Sequence, residues 1–395
     1  MRLEQRDSYL RRFASRVREL RQDDRGAWIA LEASAFYPTS GGQPHDTGRL
    51  AGAAVTDVAL ADGEVWHRLE GPALEPGSEV EGVIDWDRRY RHMQRHSAQH
   101  LLSQAFVRVS AGFDTRSVSL RGSDCTLDLA GEPDDDALTA AEELVNTFAY
   151  AALPIVSFEV DERDVGDYPL RRAPKVRGRI RLVAMGDLEV AACGGTHLAG
   201  TAEAAPIKLL GSERVRGGLR RVTFRAGWDA LDDYRAKHAL AAGLVRRFSA
   251  PLPEVASRVE RLEADAAEAR AALRAERGER ADELAERLLT GAGERGGVRL
   301  VAAEVDPAML EPLSELLMQR EATVALLAAR EGARAQLSFV RGPGSSVDVL
   351  PALRAALSEL GGRGGGKPER AQGAGPNVDA VERALRSAVE ALALP

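Results

Sequence analysis

Four side chains in two short segments have the types and spacing of a metal site. His96 and His100, in HSAQH, lie four residues apart, and on a helix this spacing places both imidazoles on one face. Cys193 and His197 flank Gly-Gly-Thr in CGGTH, where glycine lets the backbone turn tightly enough for a thiolate and an imidazole to converge. Imidazole and thiolate are the donors that zinc prefers. We therefore predict one Zn²⁺ ion bound by His96, His100, Cys193 and His197.

Other interpretations of these residues stay open at this point. Histidines at this spacing also occur on helix surfaces without a metal, and a buried cysteine with hydrogen-bonded histidines is the alternative to a site. Neither segment is HExxH, so a thermolysin-like protease is not indicated. Cys125, in GSDCTLDL, follows a strand-like alternation and is expected to be a small core residue rather than a ligand.

The elements that must position these residues predict an α+β fold. Residues 1–88 alternate as short strands and turns, which predicts a β-rich, barrel-like domain. A helix is expected from Asp85 to Val109, capped by Asp85 or Asp87, because this run contains no glycine or proline. Residues 89–228 continue as strands around one helix, from Asp134 to Leu153, and form the core that carries the metal site.

The second half of the chain divides into a helical linker and a separate module. Residues 229–295 mix Leu, Ala and Val at helical spacing with many charges, which predicts a long exposed helix or helical hairpin of weak coiled-coil character. A glycine-rich stretch, 291–297, marks the boundary. Residues 296–395 alternate strands and helices and predict a C-terminal α/β domain.

The composition is that of a folded, non-membrane protein. Apolar residues make up 44% and charged residues 29% of the 395, which disfavours a disordered chain. Apolar stretches fall far short of the roughly 18 residues that span a bilayer, and the N-terminus lacks the apolar core of a secretory signal, so we expect a cytoplasmic protein with no membrane contact. The formal charge of −7 excludes no partner, because binding patches are local.

Four motifs occur in the order found in the editing domain of alanyl-tRNA synthetase, and the chain resembles a stand-alone, AlaX-type relative of that domain. The motifs are FYPTSGGQPHDTG (36–48), HMQRHSAQHLL (92–102), CGGTHLAGT (193–201) and IKLLGSERVRGGLRRVTFRAG (207–227). The glycine-rich GGRGGGKPERAQGAG (361–375) is similar to the signature of the synthetase's C-terminal domain, which indicates the long AlaX form.

The resemblance implies a trans-editing hydrolase that deacylates mischarged tRNA(Ala), chiefly Ser-tRNA(Ala) and in some relatives Gly-tRNA(Ala). Zinc would polarise the ester carbonyl, activate a water or hold the terminal adenosine, and these roles stay open. His197 or a water could complete the metal's coordination. No class II aminoacylation domain precedes the β-rich unit, so we expect no tRNA charging. A hydrolase of another aminoacyl-tRNA on this scaffold and a non-catalytic tRNA-binding protein are the alternatives.

The resemblance also implies a pocket, an RNA surface and a partner. Segment 36–48 faces the pocket in the resembling proteins, although Ser40 stands where relatives often have glycine.

Three basic stretches, 88–95, 171–181 and 214–225, predict a surface that follows phosphates. Pro368 follows Lys367 where a P-loop needs Ser or Thr, so a glycine-rich RNA contact is preferred to an ATP site. The partner is tRNA(Ala), and the helical and C-terminal regions could join two copies as a homodimer. The expected pocket residues are Thr39, Gln43, Asp46 and Thr196, and the expected tRNA-binding residues are Arg88, Arg95, Arg216, Arg220, Arg221, Gly364, Gly365, Gly366 and Lys367.

Overall fold

The structure, a computed structural model, describes residues 1–24, 26–72, 74–174 and 176–394. Lys175, which belongs to the basic stretch 171–181, lies outside the described residues. The chain forms two compact units, Met1–Gly243 and Leu244–Pro395. Across the described ranges, no helix is long and apolar enough to cross a membrane.

The N-terminal part of the first unit is a closed six-stranded barrel. The strands pair in the order β1-β2-β5-β4-β3-β6, and closure leaves no free sheet edge. Alternating apolar residues such as Val17, Ile29, Leu50 and Val58 fill its interior. The predicted barrel-like domain is confirmed. Its strands are β1 (Arg12–Asp23), β2 (Gly26–Leu31), β3 (Gly48–Leu50), β4 (Ala53–Ala61), β5 (Glu64–Glu70) and β6 (Glu79–Ile84).

The rest of the first unit is an α+β core built around α1 (Trp86–Val109). Asp85 caps α1 by accepting a hydrogen bond from the backbone nitrogen of Arg88, as the sequence predicts. Met93, Leu101 and Phe106 of α1 lie in the largest hydrophobic cluster of this unit. The other elements are β7 (Thr115–Ser119), β8 (Cys125–Leu129), α2 (Asp135–Tyr150), β9 (Ile155–Asp161), β10 (Arg179–Met185), β11 (Glu189–Ala192), β12 (Ile207–Val215) and β13 (Leu219–Ala226).

Two sheets complete this core, in the orders β12-β13-β8-β7 and β11-β10-β9. Cys125 begins β8, is buried, and belongs to the hydrophobic cluster, so the prediction that it is a core residue is confirmed. Burial raises the pKa of its thiol to about 12, which keeps the sulfur protonated at neutral pH.

Two long helices occupy the segment predicted to be a helical linker, α3 (Trp228–Phe248) and α4 (Val255–Gly291). The boundary between the units lies within α3. Ala281, Ala285 and Leu289 near the end of α4 pack into a core of the second unit. The division at 1–88, 89–228, 229–295 and 296–395 stays a prediction.

The second unit carries a six-stranded sheet in the order β14-β15-β16-β17-β19-β18. Strand β16 is buried on both faces: Leu327 packs towards α4 and α5, and Leu326 packs towards α6 and α7. Helices on both sides of one sheet form the expected α/β layers. The elements are β14 (Gly293–Arg295), β15 (Val298–Glu304), α5 (Pro307–Met318), β16 (Thr323–Glu331), β17 (Arg334–Arg341), α6 (Leu350–Leu360), β18 (Arg363–Lys367), β19 (Arg370–Gly375) and α7 (Val381–Ala391).

Candidate metal centre

Helix α1 and the turn after β11 bring the four predicted zinc ligands together. Their ligand atoms, on His96, His100, Cys193 and His197, all lie within 4.8 Å of one another. Cys193 Sγ is 3.4 Å from His96 Nε2 and 3.2 Å from His197 Nε2. Zinc bonds of about 2.3 Å to sulfur and 2.0–2.1 Å to nitrogen imply sulfur–nitrogen distances of roughly 3.5 Å in a tetrahedral site. The donor types and these spacings therefore fit a Zn²⁺ ion.

The CGGTH turn reaches His96 because its second glycine lacks a side chain. A Cβ atom built on Gly195 would lie 2.0 Å from His96 Cε1 and 2.4 Å from His96 Nδ1. The guanidinium of Arg181 also holds this turn, since its Nη1 donates to the carbonyl oxygens of Cys193, at 2.8 Å, and Gly195, at 3.0 Å. The turn is thus fixed against α1 by a missing side chain and by one arginine.

The Nδ1 atom of each histidine in the centre has a polar partner. His96 Nδ1 lies 2.7 Å from Gln43 Oε1, His100 Nδ1 lies 2.8 Å from Glu189 Oε2, and His197 Nδ1 lies 3.2 Å from Ser97 Oγ. When Nδ1 donates its hydrogen to such a partner, Nε2 is left free to bind a metal. These contacts therefore orient the imidazoles as ligands.

The site is buried, and its charges shift the pKa values of its members. Burial alone would raise the pKa of Cys193, but the positive charges that His96 and His197 can carry outweigh burial and lower it well below its ordinary value. Burial, reinforced by His96, lowers the pKa of His197 to about 3. Burial would also lower the pKa of His100, but the carboxylate of Glu189 outweighs it and raises that pKa to about 10. The sulfur is therefore poised as a thiolate, the form that binds metals.

Two of the predicted pocket residues adjoin the centre, and both are fully engaged with protein atoms. Gln43 is completely buried, and its Nε2 donates to Thr196 Oγ1 at 2.8 Å while its Oε1 faces His96. The backbone nitrogen of Thr196 donates to the same Oε1 at 3.3 Å. Gln43 therefore links the barrel loop to both halves of the metal site, and in this arrangement its carbonyl oxygen is not free for a substrate hydroxyl.

The other two predicted pocket residues have structural positions instead. Asp46 is buried in an ion pair with Arg89 and accepts a hydrogen bond from the backbone nitrogen of Tyr37, so its carboxylate has no free face. Thr39 is exposed, and its Oγ1 accepts from the backbone nitrogen of His45 at 3.1 Å. Both residues stabilise the loop that carries Gln43, and the expectation that Asp46 faces a substrate is wrong.

The predicted arginines differ in how free their charges are. Arg95 is buried and donates to Asp229 Oδ2 at 2.6 Å, which makes it unsuitable for phosphate contact and corrects that expectation. Arg88 is half-buried and donates through Nε to the carbonyl of His45. In the β12–β13 hairpin, Arg221 is paired with Asp128 and Arg220 donates to Ser212 Oγ. Arg216 is exposed at the tip of that hairpin.

The glycine-rich segment of the second unit is an edge strand. Gly364, Gly365, Gly366 and Lys367 belong to β18, which is exposed along its length and, among the described strands, pairs only with β19. Cβ atoms at Gly364 and Gly366 would each lie 2.3 Å from a backbone oxygen of β19, whereas a Cβ at Gly365 would meet nothing within 4 Å. The segment is therefore a closely paired hairpin strand, which these glycines permit.

Glu189, Ser97 and Arg181 are site residues that the sequence analysis did not single out. A signal existed for Glu189, which begins β11 four residues before Cys193, the residue that directly follows this strand. Residues separated by an even number share a face of an extended chain. Ser97 follows His96 directly and gave no such signal. Arg181 was grouped with the basic stretch 171–181, but its nitrogens bind backbone oxygens inside the protein.

A cavity of about 290 Å³ adjoins His197 in the first unit. Apolar side chains of Ile155, Val183 and Leu198 form part of its wall, together with the hydroxyl groups of Ser8 and Ser157. Charged residues, among them Arg6 and Asp7, also line the cavity, so its wall is mixed in polarity.

Two parts of the chain match known families. Residues 180–223 match the threonyl and alanyl tRNA synthetase second additional domain, and residues 297–394 match the DHHA1 domain. The alanyl-tRNA editing protein AlaX-L from Pyrococcus horikoshii is 28% identical, over 93% of this chain and 92% of that protein. The chain is therefore similar to this AlaX-L protein over nearly the full length of both. The first matched segment, 180–223, contains Cys193 and His197 of the metal centre.

Larger proteins are also similar to this chain over most of its length. The alanine–tRNA ligase of Methanothrix thermoacetophila is 31% identical over 92% of this chain but only 41% of the ligase. The chain thus spans less than half the length of the curated ligases that it matches. The C-Ala domain of alanyl-tRNA synthetase from Aquifex aeolicus, a solved structure, matches 26% of the chain and 96% of that domain at 26% identity, with a TM-score of 0.24.

Proposed function

We propose that this protein is a zinc-dependent trans-editing hydrolase that deacylates mischarged tRNA(Ala), chiefly Ser-tRNA(Ala), without an aminoacylation activity of its own. The observation that carries this proposal is the convergence of His96, His100, Cys193 and His197 on one point. The editing protein AlaX-L from Pyrococcus horikoshii, which aligns with nearly the whole chain, supports the choice of substrate. The reaction needs no ATP, and we place it in the cytoplasm.

The chain's own residues can hold the metal. His96, His100, Cys193 and His197 supply the ligands; the three histidines are buried and Cys193 is half-buried. Zinc, when bound, supplies a Lewis acid that polarises an ester carbonyl or lowers the pKa of water to about 7. If all four residues held the metal, they would leave no place on it for water or substrate, so one of them would have to be a weaker ligand. We assign that role to His197, since Ser97 Oγ, its Nδ1 partner, lies farther away than the partners of His96 and His100.

The cavity beside His197 is the proposed place for the end of the acylated RNA. Ile155, Val183 and Leu198 on its wall suit the face of a base, and Ser157 offers a hydroxyl group to the sugar or the amino acid. Selectivity for a serine hydroxyl follows a general rule, since a site that hydrogen-bonds a hydroxyl loses that bond with alanine. Gly-tRNA(Ala) is the proposed second substrate.

Each unit is proposed to contribute its own exposed RNA contacts, cationic in the first unit and glycine-rich in the second. Arg216 is exposed at the β12–β13 tip, and β18 exposes Gly364, Gly365, Gly366 and Lys367. A backbone without side chains permits close approach to phosphate and sugar, and a lysine adds charge. Arg88, Arg220 and Arg221 contribute less, because each already binds a protein acceptor.

A homodimer through α4 is proposed from the pattern of its exposed side chains. Val259, Leu262, Ala266, Ala269 and Leu273 repeat at heptad spacing, and Leu262 is 58% and Leu273 46% exposed. In a parallel pair of α4 helices, Arg258 would face Glu263 of the other copy, and Asp265 would face Arg270. Both contacts join opposite charges and are therefore attractive. Charges at such positions set partner choice in coiled coils.

Sedimentation of full-length variants tests the homodimer. Arg258→Glu places like charges in the seam and is expected to shift the protein towards monomer. Arg261→Glu makes the same charge change one position outside the seam and is expected to leave the association unchanged. Monomeric wild-type protein, or equal effects of the two variants, would contradict the proposed interface.

Deacylation of a set of charged tRNAs tests the proposed activity. Zinc-loaded protein is expected to hydrolyse Ser-tRNA(Ala) faster than Gly-tRNA(Ala), and to spare Ala-tRNA(Ala), while His96→Ala is expected to lose the activity. Cleavage of free esters only, or of another aminoacyl-tRNA in preference, would assign a different hydrolase to this scaffold. Binding of tRNA by wild type and His96→Ala alike, with no deacylation by either, would indicate a non-catalytic binding protein.

A further inference from the structure

A series of charged side chains leads from the metal centre to Asp114, directly before strand β7. His100 Nδ1 is 2.8 Å from Glu189 Oε2, and the other oxygen of Glu189 accepts from Arg171 Nη2 at 3.1 Å. Arg171 Nη1 then donates to Asp114 Oδ1 at 3.2 Å. Glu189 is only 5% exposed. A buried carboxylate of this kind is costly unless it is paired, and here it has a partner on each side.

Glu189 differs from the other groups that hold the histidines of the centre. Gln43 meets His96 with a neutral amide and Ser97 meets His197 with a neutral hydroxyl, whereas Glu189 brings an ionisable acid to His100. A carboxylate behind a metal-bound imidazole fixes the ring and makes it a stronger donor. Strand β11 also ends directly before Cys193, so one strand positions both a ligand and the group behind another ligand.

We infer that Glu189 is a positioning residue that holds His100 in its metal-binding orientation, and that Arg171, braced by Asp114, holds Glu189. This inference rests on the proposed zinc site, and it assigns Arg171 to that site rather than to the RNA surface. Arg171 and Asp114, which are remote in sequence from all four ligands, then help to determine how tightly the metal is held.

Arg172 is the control that distinguishes a role of Arg171 in the metal site from a role in RNA binding. Arg172 carries the same charge, also pairs with Asp114, at 3.1 Å, and is more exposed, with 49% of its side chain accessible against 21% for Arg171. The contacts of Arg172 do not include Glu189 among the described residues. A contribution to zinc affinity should therefore belong to Arg171 alone, whereas a general contribution of positive charge to RNA binding should belong to both.

Zinc competition tests the role of Glu189. Full-length apo-protein is titrated with zinc against a chromophoric chelator, and folding of each variant is checked by circular dichroism. Glu189→Ala is expected to weaken zinc binding about 10- to 100-fold. Glu189→Gln keeps an acceptor oxygen for His100 Nδ1 without the charge, so its loss should be smaller than that of Glu189→Ala. The visible spectrum of the Co²⁺-loaded variants should shift from that of wild type, a change that lowered stability alone would not cause.

The same titration of the two arginine variants tests the rest of the inference. Arg171→Ala is expected to weaken zinc binding about 10-fold, and Arg172→Ala is expected to leave it at the wild-type value. Wild-type zinc affinity and Co²⁺ spectra in Glu189→Ala and Arg171→Ala would overturn the inference and leave the proposed deacylase intact. If wild type itself binds no zinc, both the inference and the zinc-dependent function are overturned. Equal loss of tRNA binding in both arginine variants, with zinc affinity unchanged, would return Arg171 to the RNA surface.

Discussion

Replacing Gly195 with alanine should displace His96 from the metal centre. The added Cβ would lie 2.0 Å from His96 Cε1, where ordinary contact begins at 3.4 Å, and 3.1 Å from Gln43 Oε1. The ring must therefore move by about 1.4 Å or the turn must retreat by a similar distance. Metal–ligand distances tolerate changes of only about 0.2 Å, so either movement breaks the bond between His96 and zinc.

The expected losses follow from that displacement. Misplacement of a reacting group by about 1 Å can cost about 100-fold in rate, so deacylation of Ser-tRNA(Ala) by Gly195→Ala should fall at least that far. Overpacking of a buried site typically costs about 1–3 kcal/mol in the free energy of unfolding. Bound zinc should fall well below one ion per chain. The assays are metal analysis of the purified protein, single-turnover deacylation and urea unfolding.

Gly194→Ala is the matched control, because the two glycines are adjacent in the same turn. The nearest atom to a Cβ on Gly194 is Gln5 Nε2 at 3.6 Å, which is an ordinary contact. Zinc content and activity should stay near wild type, with a stability change within about 0.5 kcal/mol. Full zinc occupancy and activity in Gly195→Ala, or equal losses in both variants, would refute the proposed geometry of the turn.

Three further predictions concern the support of the site, acid stability and RNA binding. Gln43→Ala removes the acceptor of His96 Nδ1 and should weaken zinc binding about 10- to 100-fold in chelator competition, whereas Thr39→Ala should leave it unchanged; equal effects would contradict the role given to Gln43. Burial lowers the pKa of His67 from 6.5 to about 4, so the unfolded chain takes up a proton at a higher pH than the folded chain does. The free energy of unfolding should therefore be fully present above pH 6.5 and decline by up to about 3 kcal/mol as the pH falls to 4. Urea unfolding of His67→Gln should show a flatter pH dependence, and an unchanged slope would exclude this cause. Arg216→Ala should weaken tRNA binding and reduce the salt dependence by about one charge, while Arg221→Ala, whose charge Asp128 offsets, should do less; the reverse order in salt-dependent binding would contradict the assignment.

The metal ligands could be predicted because their signals are local. The spacing of His96 and His100 requires only a helix, and the absence of glycine and proline after Asp85 indicates that helix almost to the residue. Cys193 and His197 are likewise joined by a short turn that glycine makes possible. The meeting of the two segments depends on the tertiary fold, and the family resemblance supplied the expectation that they meet.

The residues that were assigned wrongly have partners far away in the chain. Asp46 looked like a free acid in a polar loop, but its partner Arg89 lies on α1, and no periodic pattern links the two. Arg95 lies beside a metal ligand and looked cationic and exposed, yet it reaches Asp229 at the start of α3. Ion pairs between distant segments leave no local signal in a single sequence.

The glycine-rich strand was missed for a different reason. Glycine is depleted in strands, so five residues such as Arg363–Lys367 do not suggest one by composition. The structure requires glycine there because the backbone of β19 approaches within 2.3 Å of where the Cβ atoms of Gly364 and Gly366 would stand. Close approach of two backbones is a property of the paired hairpin, which the residue types alone do not reveal.

Removal and return of zinc is the most direct test of the proposed enzyme. The wild-type protein is stripped of metal, assayed on Ser-tRNA(Ala), reloaded with one equivalent of zinc and assayed again, with Cys193→Ala treated in parallel. The apo-protein should be inactive, zinc should restore activity to wild type, and zinc should not restore it to Cys193→Ala. Full activity of the metal-free wild type, or equal activity in Cys193→Ala, would contradict it.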